Sequence, residues 1–146
     1  MTLPKPLPGL VIRYSYLWKA EQIDGRQEGQ KDRPCAIVAA IQTGASGKTT
    51  ALVVPVTHSA PQPGSLMIEI PRATKQRLKL DDARSWIVLS EWNEFTWPGP
   101  DLRRLPGRND ASISYGILPP DFFAKVRDAF AKAVEEQRSH GVLRSE

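Results

Sequence analysis

From residue 10 to residue 97 the hydrophobic positions come in short runs of strand length, cut apart by polar stretches rich in proline and glycine. The run LVIRYSYLW (10–18) is β-branched and aromatic, and a period of two puts Ile12, Tyr14, Tyr16 and Trp18 in one row. It predicts a first strand. Before it, the proline-spaced residues 1–8 read as an extended lead-in. After it, AEQIDGRQEGQKD (20–32) is polar and mixed in charge, a long loop of the kind that carries binding groups between rigid strands. PCAIVAAIQ (34–42) is apolar on both faces and therefore predicts a central strand, with Pro34 tolerated because it opens the run. TGASGK (43–48) is the turn that leads into a third strand, TTALVVPV (49–56).

The remaining punctuation is denser. HSAPQPG (58–64) reads as a loop and SLMIEI (65–70) as a short fourth strand. PRATKQRLKL (71–80) predicts about two turns of helix behind a proline at its first position. SWIVLSEW (85–92) and EFTW (94–97) are two short strands or one bent strand, and PGPDLRRLPGRND (98–110) is an irregular excursion. Its Arg103, Arg104 and Arg108 read as a solvated charged loop more readily than as a nucleic-acid contact. From Pro119 the period changes to that of a helix: Phe122, Val126, Ala129, Phe130 and Ala133 form one apolar stripe. Prolines and Asp121 at its start, with Arg138, His140 and Gly141 at its end, suit a helix over 119–141. The order predicts a mainly β fold with helices (α+β). Its antiparallel sheet curls into a small barrel, with a short internal helix and the terminal helix packed on the sheet. One domain, 9–140, is expected between the lead-in and a tail at 141–146.

Composition narrows the class. With 146 residues, 40% hydrophobic and 25% charged, the chain is long enough for a real core. No apolar run nears the roughly 20 residues that span a bilayer, and the N-terminus lacks a signal peptide's apolar centre. A cytoplasmic protein without a membrane partner is expected. A single cysteine, Cys35, inside an apolar run excludes a disulfide framework and reads as a buried, unreactive thiol. A net charge of +4 favours anionic partners.

Candidate chemistry is thin, which helps. Two histidines and one cysteine, with no HxH, HExxH or CxxC spacing, leave no metal constellation, and no cofactor is expected. GASGKTT imitates a phosphate loop, but that motif needs glycine where Gln42 stands and a helix where a strand pattern follows. What remains is cationic and hydroxylic: Lys31, Arg33, Thr57, His58 and Ser59, with Glu28 in the preceding loop. His58 could serve as a base, although a lone loop histidine is more often a surface residue. Such a set suits a phosphodiester, because guanidinium gives paired hydrogen bonds to phosphate oxygens and a hydroxyl adds another as charge develops. Hairpin pairing of the second and third strands would bring Arg33 and Thr57 to one end of the sheet.

At these residues the chain resembles the MazF/PemK-like toxins of toxin–antitoxin systems. The resemblance runs from about residue 8 to 137 and is carried by PGLVIRYSYLW, KDRPCAIV, VVPVTHS, IVLSEWNEFTW and GILPPDFFAKV in that order. It implies an SH3-like barrel and a metal-independent endoribonuclease that cuts single-stranded RNA to a 2′,3′-cyclic phosphate and a 5′-OH. It also implies a homodimer and a cognate antitoxin protein as partner. Arg33 and Thr57 match the family's catalytic arginine and threonine or serine, and Glu28 stands where many members carry an acidic residue. The loop departs from the family's commonest form, with Lys31 in place of a glycine. The competing readings are a non-catalytic barrel of the same class, either gyrase-poison-like or an RNA-binding module, and a plain scaffold domain.

Overall fold

The first three apolar runs pair as their alternation predicts. In the computed structural model, which describes residues 3–25, 31–43, 47–108 and 110–144, β1 (Leu10–Tyr14), β2 (Arg33–Thr43) and β3 (Lys48–Thr57) pair antiparallel, with β2 in the middle. Val11, Ala36, Val38, Val54 and Val56 enter one core. Ile12, Cys35, Ile37 and Val53 enter a second core on the other face. This two-sided burial is why PCAIVAAIQ shows no polar alternation. Because β3 begins at Lys48, directly across from Thr43, the KTT of GASGKTT is strand, and among the described residues no helix starts there to meet a phosphate.

The far edge of β3 is shared by two strands. Thr49 to Val53 pair with β6 (Glu91–Trp97), and Val56 and Thr57 pair with β5 (Trp86–Val88), so residues 85–97 form two strands parted at Leu89 and Ser90. β4 (Met67–Glu69) lies outside β5 and β7 (Ser114–Ile117) outside β1, giving the order β4-β5-β3-β2-β1-β7. The sheet is mostly antiparallel and, with the three helices among the described residues, makes a small α+β fold. Among the described residues β4 and β7 do not pair with each other, so the sheet stays open and fits the expected barrel only loosely.

Several elements depart from the sequence reading. The first strand ends at Tyr14, and α1 (Lys19–Ile23) forms inside the stretch expected to be loop. The Trp18 N–H donates to the Glu21 carboxylate at 3.0 Å, which satisfies one free donor of the new helix. β7 was not foreseen. Its Gly116 argues against a strand by propensity but is favoured by the backbone: φ is +127°, which strains any L side chain, and a Cβ there would also lie 2.9 Å from the end of Leu78. α2 (Arg72–Arg77) follows Pro71 as expected. The three arginines of the 98–110 excursion all have partners within the protein. Arg103 pairs with Asp32 at 3.5 Å, Arg104 donates to the Asp110 carbonyl at 3.1 Å, and Arg108 pairs with Asp110 at 3.6 Å.

The C-terminal helix, α3 (Pro120–Glu135), buries Phe122, Val126 and Phe130 in the first core, with Ala129 packed against it and Ala133 also buried, as its stripe predicts. It stops earlier than expected. Gln137 turns into the left-handed region at φ 59°, and His140–Leu143 become β8, which pairs parallel to β6. The expected tail therefore begins inside the sheet. Packing explains this better than capping: Val142 is buried, and Gly141 lies so close to Trp92 that a Cβ would sit 2.5 Å from the indole ring. Gly141→Ala must push a fixed ring, an overpacking cost of about 1–3 kcal/mol. A melting temperature lower by about 3–9 °C is expected by calorimetry. An unchanged value would show that β8 contributes little.

Candidate functional site

Antiparallel register places the two leading residues together. Cys35 faces Pro55 across β2 and β3, so stepping two residues outward on each strand sets Arg33 opposite Thr57 at one end of the sheet. Arg33 is oriented from two sides. Its Nη1 donates to the Val56 carbonyl at 3.2 Å, and its guanidinium lies 4.9 Å from the centre of the Trp18 ring. Trp18 is in turn held by the edge-on Tyr16 ring at 5.1 Å. The neighbouring Leu17 exchanges two backbone hydrogen bonds with the side chain of buried Asn93, at 2.9 and 2.8 Å. Asn93 thus acts as a strand partner for a segment that has left the sheet. Among the described residues no carboxylate pairs with Arg33, and its Nε is buried without an acceptor.

Thr57 Oγ1 accepts the Ser59 N–H at 3.2 Å, a local turn that fixes the oxygen and leaves the hydroxyl proton to point elsewhere. His58 Nε2 meets Asp81 Oδ2 at 2.7 Å. Asp81 is anchored through its other oxygen by Lys75 Nζ at 2.7 Å, and buried Lys75 also donates to Ser85 Oγ at 2.7 Å and to the Ala83 carbonyl. Burial pushes the Asp81 carboxyl up, but the Lys75 hydrogen bond and the charges of His58 and Lys75 outweigh it and hold Asp81 below the usual carboxylate range. Glu91, the first residue of β6, accepts from the Tyr16 hydroxyl at 3.1 Å and the Lys19 N–H at 2.9 Å, both through Oε1. Burial raises its carboxyl, and these hydrogen bonds only partly offset the rise.

These groups line one open cleft of about 680 Å³, which takes in Lys31, Arg33, Thr57, His58 and Ser59. Glu28 lies outside the described residues. Trp18, read from sequence only as part of an aromatic row, and Asp81 and Glu91, which carry no site assignment there, line the same cleft. Nothing local marks them: Asp81 follows His58 by a loop, a strand and a helix, and Glu91 reads as one polar residue within a strand pattern. Cys35 is fully buried, its thiol donates to the Arg33 carbonyl at 3.7 Å, and burial pushes its pKa up, so it packs as a neutral thiol. Among the described residues no group of three or more His, Cys, Asp or Glu side chains is placed to hold a metal ion.

The cleft can hold an anion at the Arg33 guanidinium, direct a hydroxyl proton at it from Thr57, and exchange protons through an imidazole and a carboxyl. No protein-family model, no curated protein and no solved structure matches this chain.

Proposed function

We propose that the chain is a metal-independent endoribonuclease acting on single-stranded RNA, the toxin of a MazF/PemK-like toxin–antitoxin pair. The observation that carries this reading is the juxtaposition of Arg33 and Thr57 at the mouth of the cleft, with the guanidinium oriented by Val56 and Trp18 and unclaimed by any described carboxylate. In this reading the 2′-OH of one nucleotide attacks the adjacent phosphorus. Charge gathers on the non-bridging oxygens as the new bond forms. Arg33 donates to those oxygens from a fixed position, and the Thr57 hydroxyl adds a donor already turned by Ser59. Lys31 meets the neighbouring phosphate, and His58 and Ser59 border the substrate. The order of motifs along the chain supports the family, and the cleft supports the chemistry.

Purified protein is expected to cut single-stranded RNA in the presence of EDTA, read by gel electrophoresis. Cleavage that appears only after a divalent metal is added back would contradict the reading.

A further inference from the structure

We propose that Glu91 is the general base and His58, held by Asp81, the general acid of this cleavage, so that proton transfer is divided between two groups flanking Arg33. The proposal rests on the ribonuclease reading above. A guanidinium keeps its proton at working pH, so the two proton transfers fall to other groups in the cleft. Glu91 reaches the cleft from the Trp18 and Lys19 side. His58 reaches it from the side of Asp81 and Lys79. An in-line displacement needs the attacking and leaving oxygens on opposite sides of phosphorus, which two separated groups can serve and one cannot.

The atoms available fit these roles. Glu91 Oε1 is occupied by Tyr16 and Lys19, while Oε2 accepts no hydrogen bond among the described residues. His58 engages Asp81 through Nε2, which leaves Nδ1 for the substrate. The Asp81 carboxylate orients the ring from 2.7 Å, and Lys75 fixes the carboxylate. As the 2′-oxygen bonds to phosphorus, its proton passes to Glu91 Oε2. As the P–O5′ bond breaks, His58 Nδ1 gives its proton to O5′. The products are the 2′,3′-cyclic phosphate and the 5′-OH, and exchange with water returns both groups to their starting states. Burial, which raises the Glu91 carboxyl above the usual range, makes it a better proton acceptor than a solvated glutamate. Besides Asp81 and Glu91, the titratable groups lining the clefts with His58 are Lys31, Asp32, Arg33, Lys79 and Tyr115. Those facing Glu91 are Tyr16, Lys19 and Glu21.

The test uses an oligoribonucleotide spanning the cleavage site mapped on a long natural RNA, made either with oxygen or with sulphur bridging at the scissile 5′ position. A thiolate leaves without protonation, so it bypasses a missing acid. The wild type should show a bell-shaped pH–rate profile on the oxygen substrate. His58→Gln should lose about 10²–10⁴-fold and the alkaline limb, and recover to within about tenfold of wild type on the sulphur substrate. Glu91→Gln should lose the acid limb and be slowed on both substrates. Because Glu91 also holds the Lys19 backbone, Glu91→Asp is the second variant, expected to keep a carboxylate-dependent acid limb. His58→Gln equally slow on both substrates, or unslowed on both, overturns the acid assignment. An acid limb that survives Glu91→Gln overturns the base assignment. A wild type that cuts neither substrate brings down the ribonuclease reading itself, a result distinct from failure of the pair.

Discussion

Arg33→Ala is expected to slow cleavage of single-stranded RNA by about 10²–10³-fold, the size of effect that follows loss of one preorganised donor to a developing oxyanion. The protein should remain folded. The substitution removes one hydrogen bond to the Val56 carbonyl and one stacking contact with Trp18, each about 1 kcal/mol. A domain's stability is about 5–15 kcal/mol. Arg33→Lys should fall nearer to alanine than to wild type, because an ammonium keeps the charge but cannot make the paired, planar contact or hold its place on the indole. Single-turnover rates alongside a thermal melt separate the two effects. Undiminished cleavage by a folded Arg33→Ala protein would sink the assignment.

Arg144→Met is expected to lower stability by about 3–5 kcal/mol, because it removes the nearer cation from a buried carboxylate and leaves it the more distant Arg103, at 4.0 Å. Arg144 is 4% exposed and pairs at 3.0 Å with Asp101, itself 5% exposed. The same guanidinium donates to the Ser15 carbonyl at 2.6 Å, to Asn93 Oδ1 at 3.0 Å and to the Tyr14 hydroxyl at 3.3 Å. The melting temperature should fall by about 10–15 °C, and the double variant with Asp101→Asn should regain part of that loss. Activity should suffer as well. Asn93 is the residue that grips Leu17, and Leu17 precedes the Trp18 on which Arg33 lies. A residue after the last strand thus reaches the cleft through two side chains. An unchanged melting temperature would mean that the pair is not buried in solution.

The difference between these two arginines shows what sequence can and cannot convey. The nearness of Arg33 and Thr57 was legible because a hairpin converts sequence spacing into spatial proximity: both strands had apolar runs, and antiparallel pairing then set the polar ends together. The stripe of α3 was legible for the same local reason. Arg144 had no such signal, since its value comes from Asp101, 43 residues earlier, and from β8, which forms only because β6 offers it an edge and Gly141 lets it lie against Trp92. The capping preferences of Arg138 and His140 pointed to a longer helix, and tertiary pairing overrode them. α1 was missed because five residues of helix between charged neighbours carry too little periodicity to be read. Glu91 and Asp81 acquire their character from Tyr16, Lys19, Lys75 and His58, partners between 6 and 75 residues away.

The most direct measurement is the chemistry of the cut ends. RNA fragments produced in EDTA and weighed by mass spectrometry should carry a 2′,3′-cyclic phosphate on the upstream piece and a 5′-OH on the downstream piece. That pair of ends arises when the RNA's own 2′-OH displaces O5′, and folded Arg33→Ala protein should yield far less of it if the Arg33–Thr57 cleft is where this happens. A 5′-phosphate with a 3′-OH would mean that water or another nucleophile attacked from the opposite side, and would contradict it.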